Sequence, residues 1–331
     1  MSARNTAVTV IMACHNSAAY LDEAIKSVLG QTLSDLELIL IDDCSSDKTL
    51  EIAERYRSLD DRLSIIPLPV HSGPAIARND GILAAKADWI GILDSDDVAM
   101  PSRFKEQLRL ANSDKRLVQI SSNSSSIDNH SHAIKEHRYP VDHKGLIKRL
   151  YSLQAFPSHS SMLYRKETVI RSASFNPRYA RSQDYDLWLR LSEIGQFASI
   201  DQPLVKIRKH AMNISNSDGG VLQRKYGSVA TICHFLRILG CPDPSTSNDK
   251  ATWHNFFTWA DSRLVEEGAF SRHDAWTGAR SGYFATPNKL SGAFRFGTRL
   301  LQSGHTGALV WEKCFGSSLP ERLAQEWMGR S

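Results

Sequence analysis

Residues 89–97, WIGILDSDD, join a continuous apolar run directly to three aspartates, Asp94, Asp96 and Asp97. An apolar run without polar alternation is typical of a parallel strand that helices cover on both faces. The same arrangement occurs earlier, where the apolar runs Val8 to Cys14 and Leu36 to Ile41 each end in polar residues. We therefore predict a repeated unit in which a buried strand ends in a polar loop.

Helical patterns follow these strands. Apolar residues from Leu21 to Leu29 recur at the spacing of one helix face, and helices are also predicted from Leu50 to Tyr56 and from Ala75 to Ala87. A third strand is predicted from Leu63 to Leu68. Strands that alternate with helices predict an α/β fold whose parallel sheet has right-handed crossovers. Such sheets bind ligands beyond the carboxyl ends of their strands, where the aspartates lie.

The pattern is less regular in the middle of the chain. We predict a helix from Ser102 to Ala111, a strand from Val118 to Ser122 and an exposed turn from Asn123 to His132. Phe156 to Arg165 then has the pattern of a strand, and Gln183 to Ile194 has that of a helix.

The length of 331 residues allows one large α/β domain with an appendage or two modest domains. Beyond His210 the composition changes to helical segments that are rich in aromatic residues, such as Trp253 and Phe256. We therefore expect residues 1–215 to form the α/β domain and residues 216–331 to form a helical C-terminal region.

Composition and charge exclude several classes of partner and site. The formal net charge is only +4, and acidic residues interrupt the basic ones, so nucleic acid is not expected as a partner. The five cysteines have no CxxC spacing, which argues against a zinc site or a disulfide framework. They are typical of reduced thiols in a cytoplasmic protein.

A basic and aromatic segment from Trp276 to Trp311 contains no acidic residue. Such a segment either packs on the α/β domain or lies on an anionic membrane surface. No apolar stretch approaches the ~20 residues that a membrane-spanning helix needs. We expect a cytoplasmic protein that is either free or attached at the inner face of the cytoplasmic membrane.

Asp94 and Asp96 are alternate residues of an extended segment, so their carboxylates point the same way and can face one cation. Mg²⁺ and Mn²⁺ prefer oxygen ligands and commonly bind one or two carboxylates together with substrate phosphates. The alternative is a solvated turn that caps the helix after Pro101. Three acids directly after a buried strand repel one another, which a simple turn does not require, so we favour a metal site.

Together these motifs resemble the family 2 glycosyltransferases of the GT-A fold, and the resemblance covers the larger part of the chain. It implies a nucleotide-diphospho-sugar transferase fold with a Rossmann-like mixed sheet. The matching segments are Val8 to Met12 with His15-Asn16, Ser27 to Thr32, Glu37 to Asp47, Gly73, Ala77-Arg78-Asn79, Gly81, Leu93 to Asp97, Met100-Pro101, Arg103, and Gln183 to Trp188.

The resemblance also implies which residues bind the donor. Asp43 resembles the acid that hydrogen-bonds the nucleotide base, usually uracil, and Ala13, His15 and Asn16 lie in the loop around that base. Arg78 resembles an arginine near the nucleotide, although it is equally compatible with a surface cation. Asp94 and Ser95 are expected beside the ribose and the metal ion.

Metal binding and catalysis are implied for four further residues. Asp96 corresponds to the acid that holds the metal directly, with Asp94 beside it. Asp184 matches the catalytic base, which removes the proton from the attacking hydroxyl group. Its place at the start of a helix favours the ionised carboxylate. Arg208 and His210 match an Arg-x-His motif that either reaches the diphosphate or metal from a closing loop or serves the structure alone.

The implied activity is an inverting, hexosyl-transferring glycosyltransferase. It would move a sugar from a nucleoside diphosphate, favoured to be UDP, to a hydroxyl of a glycan or lipid-linked acceptor during bacterial polysaccharide or lipopolysaccharide synthesis. One alternative is a nucleotidyltransferase, although His15-Asn16-Ser17 is not the glycine-rich phosphate loop that such enzymes use. Another is a non-catalytic, nucleotide-sugar-binding subunit of an assembly complex. For His159, we favour a hydrogen-bonded structural role over contact with the acceptor.

Overall fold

The computed structural model describes residues 6–211, 213, 220–269 and 319–330. The chain forms two compact units, Met1–Ser217 and Asp218–Ser331. The basic segment from Trp276 to Trp311, for which the sequence predicts packing or membrane contact, lies outside the described residues.

The first unit begins with the predicted alternation of strands and helices. The elements are β1 (Val8–Cys14), α1 (Leu21–Leu29), β2 (Leu36–Asp42), α2 (Thr49–Arg57), β3 (Leu63–Pro67), α3 (Pro74–Ala84) and β4 (Trp89–Ile92). The four strands pair in parallel in the order β3-β2-β1-β4. β1, β2 and β4 are almost wholly buried, as their continuous apolar sequences predict.

Beyond β4 the sheet becomes mixed. The elements are β5 (Val98–Ala99), α4 (Arg103–Ala111), β6 (Leu117–Ile127), β7 (Ala133–His137), α5 (His143–Tyr151), β8 (Leu163–Arg165), α6 (Lys166–Arg171), α7 (Gln183–Ser192) and β9 (Gln196–Arg208). β8 lies antiparallel between β4 and β6, and β6 runs parallel to β9. The mixed α/β sheet that the resemblance implies is therefore confirmed.

Two predictions about the middle of the chain are wrong. Asn123, predicted to begin an exposed turn, lies buried inside β6. Its side chain can be buried because Nδ2 donates to the Asp201 carboxylate (2.8 Å) and Oδ1 accepts the backbone N–H of Tyr139 (2.9 Å). Of the strand predicted from Phe156 to Arg165 only β8 is formed, and a 3₁₀ helix, His159–Ser161, precedes it.

Helix α4 packs directly on β4, and two residues fix this contact. A Cβ atom built on Gly91 would lie 2.4 Å from Cε1 of Phe104, so the close approach requires glycine. Arg103 is fully buried and donates from Nη2 to the carbonyl oxygens of Ile92 (2.9 Å) and Met162 (3.1 Å). The strand that leads into the three aspartates is therefore held by an aromatic ring and a buried cation.

The described part of the second unit is helical, as predicted for the C-terminal region. Its elements are α8 (Val221–Ile238), a 3₁₀ helix (Pro244–Thr246), α9 (Lys250–Glu266) and α10 (Leu319–Met328). Arg263 of α9 pairs with Glu326 of α10 (3.0 Å), and Asp249 caps the start of α9. None of the helices within the described ranges is long and apolar enough to cross a bilayer.

The variant Gly91→Ala is expected to destabilise the protein by about 1–3 kcal/mol, because the added methyl group overlaps the Phe104 ring. The free energy of unfolding is measured by urea denaturation. Gly329→Ala is the matched control, since a Cβ atom there meets its nearest neighbour at an ordinary 3.7 Å. Equal stability of the two variants would contradict the close packing of α4 on β4.

Candidate active site

The loops that follow β1, β2 and β4 contact one another at the carboxyl ends of the strands. The backbone N–H of Asn16 donates to Ser45 Oγ (2.9 Å), and Ser17 and Ser95 share a hydrogen bond between their hydroxyl groups (2.7 Å). Ala13 precedes this loop in β1 and is half-buried. The predicted donor-binding residues Asn16 and Ser95 therefore lie in the loops after β1 and β4, which the hydrogen bond of Ser17 connects.

Asp43 is held directly after β2 by the main chain. Its carboxylate is only 3% exposed and accepts the backbone N–H groups of Ser72 (2.6 Å) and Gly73 (2.8 Å). Gly73 has φ of 86°, a left-handed conformation that favours glycine, and it precedes the first residue of α3. The orientation of this acid is therefore set by two amides at the start of a helix.

Two stacked histidines lie beside Asp43. The rings of His15 and His71 have centroids 4.0 Å apart, and His15 Nδ1 donates to the carbonyl oxygen of Asp43 (2.7 Å). His71 Nδ1 lies 3.0 Å from Asp43 Oδ2. His71 is not among the residues predicted from the sequence, where its one signal is its place directly before Ser72 and Gly73. Planar rings next to a fixed carboxylate are suited to a flat, hydrogen-bonding ligand.

Arg78 of α3 pairs with the first aspartate of the cluster. Its Nη2 donates to Asp94 Oδ1 (2.9 Å), and its side chain is 11% exposed, so it is not a surface cation. Burial acts to raise the pKa of Asp94, but Arg78 and Ser160 together hold that pKa below its usual value. Asp94 is therefore the acid of the cluster that is best prepared to stay ionised.

Asp96 is bound by residues that follow β9. Its Oδ2 lies 2.9 Å from His210 Nε2 and 3.3 Å from Asn213 Nδ2. Burial, and then the charge of Asp94, raise the pKa of Asp96, so a positive charge nearby would be favourable. In the described part of the chain, no three His, Cys, Asp or Glu side chains converge as a preformed metal site. A carboxylate and an imidazole in contact nevertheless fit a Mg²⁺ or Mn²⁺ ion whose other ligands are phosphate oxygens.

Arg208 is buried behind the aspartates, with 1% of its surface exposed. Its guanidinium group donates to Glu23 and to the carbonyl oxygens of Asp96 (2.9 Å) and Asp128 (3.1 Å). Its backbone N–H donates to Asp97 Oδ1 (2.8 Å). Arg208 thus braces the loop of the aspartates against α1 and the turn after β6, and its predicted contact with a diphosphate stays a prediction.

Asp184 lies in the first turn of α7, after Ser182 in a left-handed conformation (φ 56°). Its Oδ1 accepts the backbone N–H of Tyr185 (2.8 Å). Burial raises the pKa of Asp184, with a further contribution from Asp94, although Arg78 and the local N–H groups oppose this. The helix start alone therefore does not set its ionisation, because burial outweighs it. A raised pKa makes the ionised carboxylate a stronger base.

His159 has no hydrogen-bonded structural role, contrary to the expectation from sequence. Its ring is buried, and neither ring nitrogen finds a hydrogen-bond partner among the described residues. Its Nδ1 lies 3.9 Å from Asp94 Oδ1, and Phe175 contacts the ring edge-on. Burial, and then Arg78, lower its pKa to about 3, so the ring is neutral. A buried polar group without a partner costs about 1–3 kcal/mol.

Comparison with known proteins agrees with this geometry. The family described as "Glycosyl transferase family 2" matches residues 9–171. The O-antigen biosynthesis glycosyltransferase WbnJ of Escherichia coli is 31% identical over 188 residues, which are 56% of this chain and 71% of that protein.

Two solved structures share the fold at low sequence identity. TarS of S. aureus in complex with UDP-GlcNAc has a TM-score of 0.59 at 16% identity, over 90% of this chain and 81% of that one. The mannosyltransferase PcManGT of Pyrobaculum calidifontis in complex with GDP-Man and Mn²⁺ has a TM-score of 0.52 at 17% identity, over 91% and 80%. The sheet is thus the GT-A arrangement that the sequence predicts. With a curated relative of this identity and coverage, the chain belongs to glycosyl transferase family 2 and is a glycosyltransferase.

Proposed function

We propose that this enzyme transfers a sugar from a nucleoside diphosphate sugar, with UDP as the carrier, to a hydroxyl group of a glycan or lipid-linked acceptor, with inversion at the anomeric carbon. The observation that carries the proposal is the pairing of Arg78 with Asp94 (2.9 Å) at the carboxyl end of β4, near which Asp184 lies closely enough for both charges to affect its pKa. A candidate base and the acids suited to a donor are therefore within reach of one substrate. Membership of the family does not by itself specify the donor, the acceptor or the stereochemistry of transfer.

The reaction is a single displacement. Asp184 accepts the proton of the acceptor hydroxyl while the hydroxyl oxygen forms a bond to the anomeric carbon. The bond between that carbon and the diphosphate oxygen breaks, and the nucleoside diphosphate leaves with the electron pair. Attack from the face opposite the leaving group inverts the configuration, as expected for relatives in this family. The raised pKa of Asp184 supports its assignment as the base.

Asp96 and His210 are the residues that would hold a divalent cation, with Asp94 beside them. When bound, Mn²⁺ or Mg²⁺ would offset the negative charge on the departing diphosphate. The contact of Asp96 with His210, 2.9 Å, supports this pairing, because a cation could take the place of the proton that Nε2 donates to Oδ2. The Mn²⁺ in the PcManGT complex supports metal use in an enzyme of the same fold.

The base of the donor is assigned to the loops around Asp43. The carboxylate has lone pairs beyond those that accept the amides of Ser72 and Gly73, so it can accept the N–H of uracil. The imidazole of His15 offers a face for stacking, and Ala13 and Asn16 border it. The UDP-GlcNAc of the TarS complex supports uridine, whereas PcManGT was solved with a guanosine donor.

The acceptor is inferred from the relatives. WbnJ is named for O-antigen biosynthesis, so we assign this enzyme to bacterial cell-surface polysaccharide synthesis at the inner face of the cytoplasmic membrane. Residues 1–215 would carry the chemistry. Residues 216–331 would bind the acceptor or contact the membrane surface.

A thermal-shift panel of UDP- and GDP-sugars with Mn²⁺ tests the donor. A ligand that binds the folded state alone stabilises it, and at 100 times its Kd this gives about 2.7 kcal/mol. We expect the melting temperature to rise with a UDP-sugar and not with its GDP counterpart. If no nucleotide sugar changes the melting temperature and none is hydrolysed, the proposed reaction is wrong.

Asp184→Asn is expected to lower kcat by about 10²–10⁴-fold, because the amide cannot take the proton of the acceptor. Donor binding, which is measured by thermal shift, should be unchanged. The control is Asp88→Asn, which neutralises an exposed carboxylate at the opposite end of β4 and should leave the rate as in the wild type. An Asp184→Asn enzyme that transfers the sugar at the full rate would contradict the assignment of Asp184 as the base.

Asp96→Asn is expected to weaken Mn²⁺ binding at least tenfold in the presence of UDP, since a neutral amide is a poorer ligand than a carboxylate. Isothermal titration with Mn²⁺ measures the affinity directly, without relying on activity. His210→Gln should weaken it less, and Asp88→Asn not at all. Unchanged Mn²⁺ affinity in the Asp96 variant would show that this carboxylate does not hold the cation.

A further inference from the structure

His159 is the feature that the reaction above leaves unexplained. Its imidazole lies in the 3₁₀ helix before β8 and is buried, yet within the described ranges neither nitrogen has a hydrogen-bond partner. Buried polar groups in folded proteins nearly always have a partner, so an exception at an active site calls for a functional reason. A partner that becomes available only when the substrate binds is one such reason.

The position of the ring relative to Asp94 identifies the partner. Asp94 Oδ1 accepts a hydrogen bond from Arg78 Nη2 at 2.9 Å, and His159 Nδ1 lies 3.9 Å from the same oxygen. A movement of about 1 Å would bring that nitrogen within hydrogen-bond distance. One carboxylate oxygen thus accepts one hydrogen bond and lies just beyond the reach of a ring nitrogen that can donate a second one.

Arg78 is the member of this group that a diphosphate would attract. Its guanidinium is fixed in charge and presents a planar set of donors that matches phosphate oxygens. A diphosphate brings more negative charge than the single carboxylate of Asp94, so the two compete for the same cation. Asp94 would then lose its partner at the moment when its orientation matters for the donor.

We propose that His159 is a positioning residue that donates a hydrogen bond from Nδ1 to Asp94 Oδ1 when the donor diphosphate engages Arg78. This inference rests on the proposed function. In this hand-over, the hydrogen-bond donor to Asp94 changes from Arg78 to His159. Asp94 thereby stays oriented, and the buried imidazole gains the partner that it lacks in the free enzyme. Neutral imidazole is sufficient for this role, because it carries one N–H.

Aromatic side chains hold the ring in the required place. Phe175 meets it edge-on with centroids 5.5 Å apart, and Trp188 and Tyr164 each lie 6.4 Å from it. Trp188 Nε1 in turn donates to the Tyr164 hydroxyl (2.6 Å), which fixes both rings. The imidazole therefore has little freedom other than a small shift, and a small shift is all that the hand-over requires.

The variant His159→Phe tests this directly. An apolar ring of similar size removes the unsatisfied nitrogens, so the donor-free variant should be at least as stable as the wild type. The increase in melting temperature caused by a UDP-sugar with Mn²⁺ should shrink, and kcat/KM should fall about tenfold or more. His159→Asn, whose amide nitrogen mimics Nδ1, should restore much of the increase in melting temperature and much of kcat/KM. In the wild-type enzyme, the ¹⁵N signal of His159 Nδ1 should shift on donor binding.

Three results would overturn the hand-over. A His159→Phe enzyme with wild-type donor binding and turnover would show that Asp94 does not need the imidazole. A variant that is destabilised before donor is added, with activity reduced only in proportion to the folded fraction, would make His159 a packing residue. A His159 Nδ1 signal that donor leaves unchanged would exclude the new hydrogen bond. If the wild type itself binds no nucleotide sugar, the proposed function fails first, and that result is distinguishable from these three.

Discussion

The mutual repulsion of Asp94, Asp96 and Asp97 is the constraint on which the rest of this structure depends. Burial disfavours their charges, and it raises the pKa of Asp96 and of Asp97. The protein places Arg78 and Arg103 near these carboxylates, and both cations are largely buried. The cluster is therefore tolerated in the free enzyme, although the nearby positive charge does not fully balance the three carboxylates. A cation-binding site requires such an excess of negative charge.

These cations also join distant parts of the chain. Arg78 comes from α3, Arg103 from α4 and Arg208 from the end of β9, and each binds the loop of the aspartates or the strand that leads into it. These contacts determine how helices and strands meet at the carboxyl edge of the sheet. Fold and site are coupled because a change in any of these elements alters the electrostatics of the acids.

The sequence predicts this architecture well where a pattern is local. Apolar runs such as that of β1 identify the parallel strands, and Asp94 lies beyond the carboxyl end of β4, as its place in the sequence predicts. Prediction fails where a polar side chain finds its partner far along the chain, because nothing in the neighbouring residues signals the partner. Asn123 is buried through Asp201, and His71 joins the site only because its loop folds against Asp43. The pKa of Asp184 depends likewise on burial that the helix start does not reveal.

Hydrogen bonds from the main chain fix the Asp43 carboxylate, whereas the side chains around it can vary. The backbone N–H groups of Ser72 and Gly73 orient the carboxylate, so its direction is set chiefly by the main chain. The rings of His15 and His71, in contrast, are ordinary loop side chains. The rings around Asp43 can therefore be exchanged for other side chains while the direction of the carboxylate is kept.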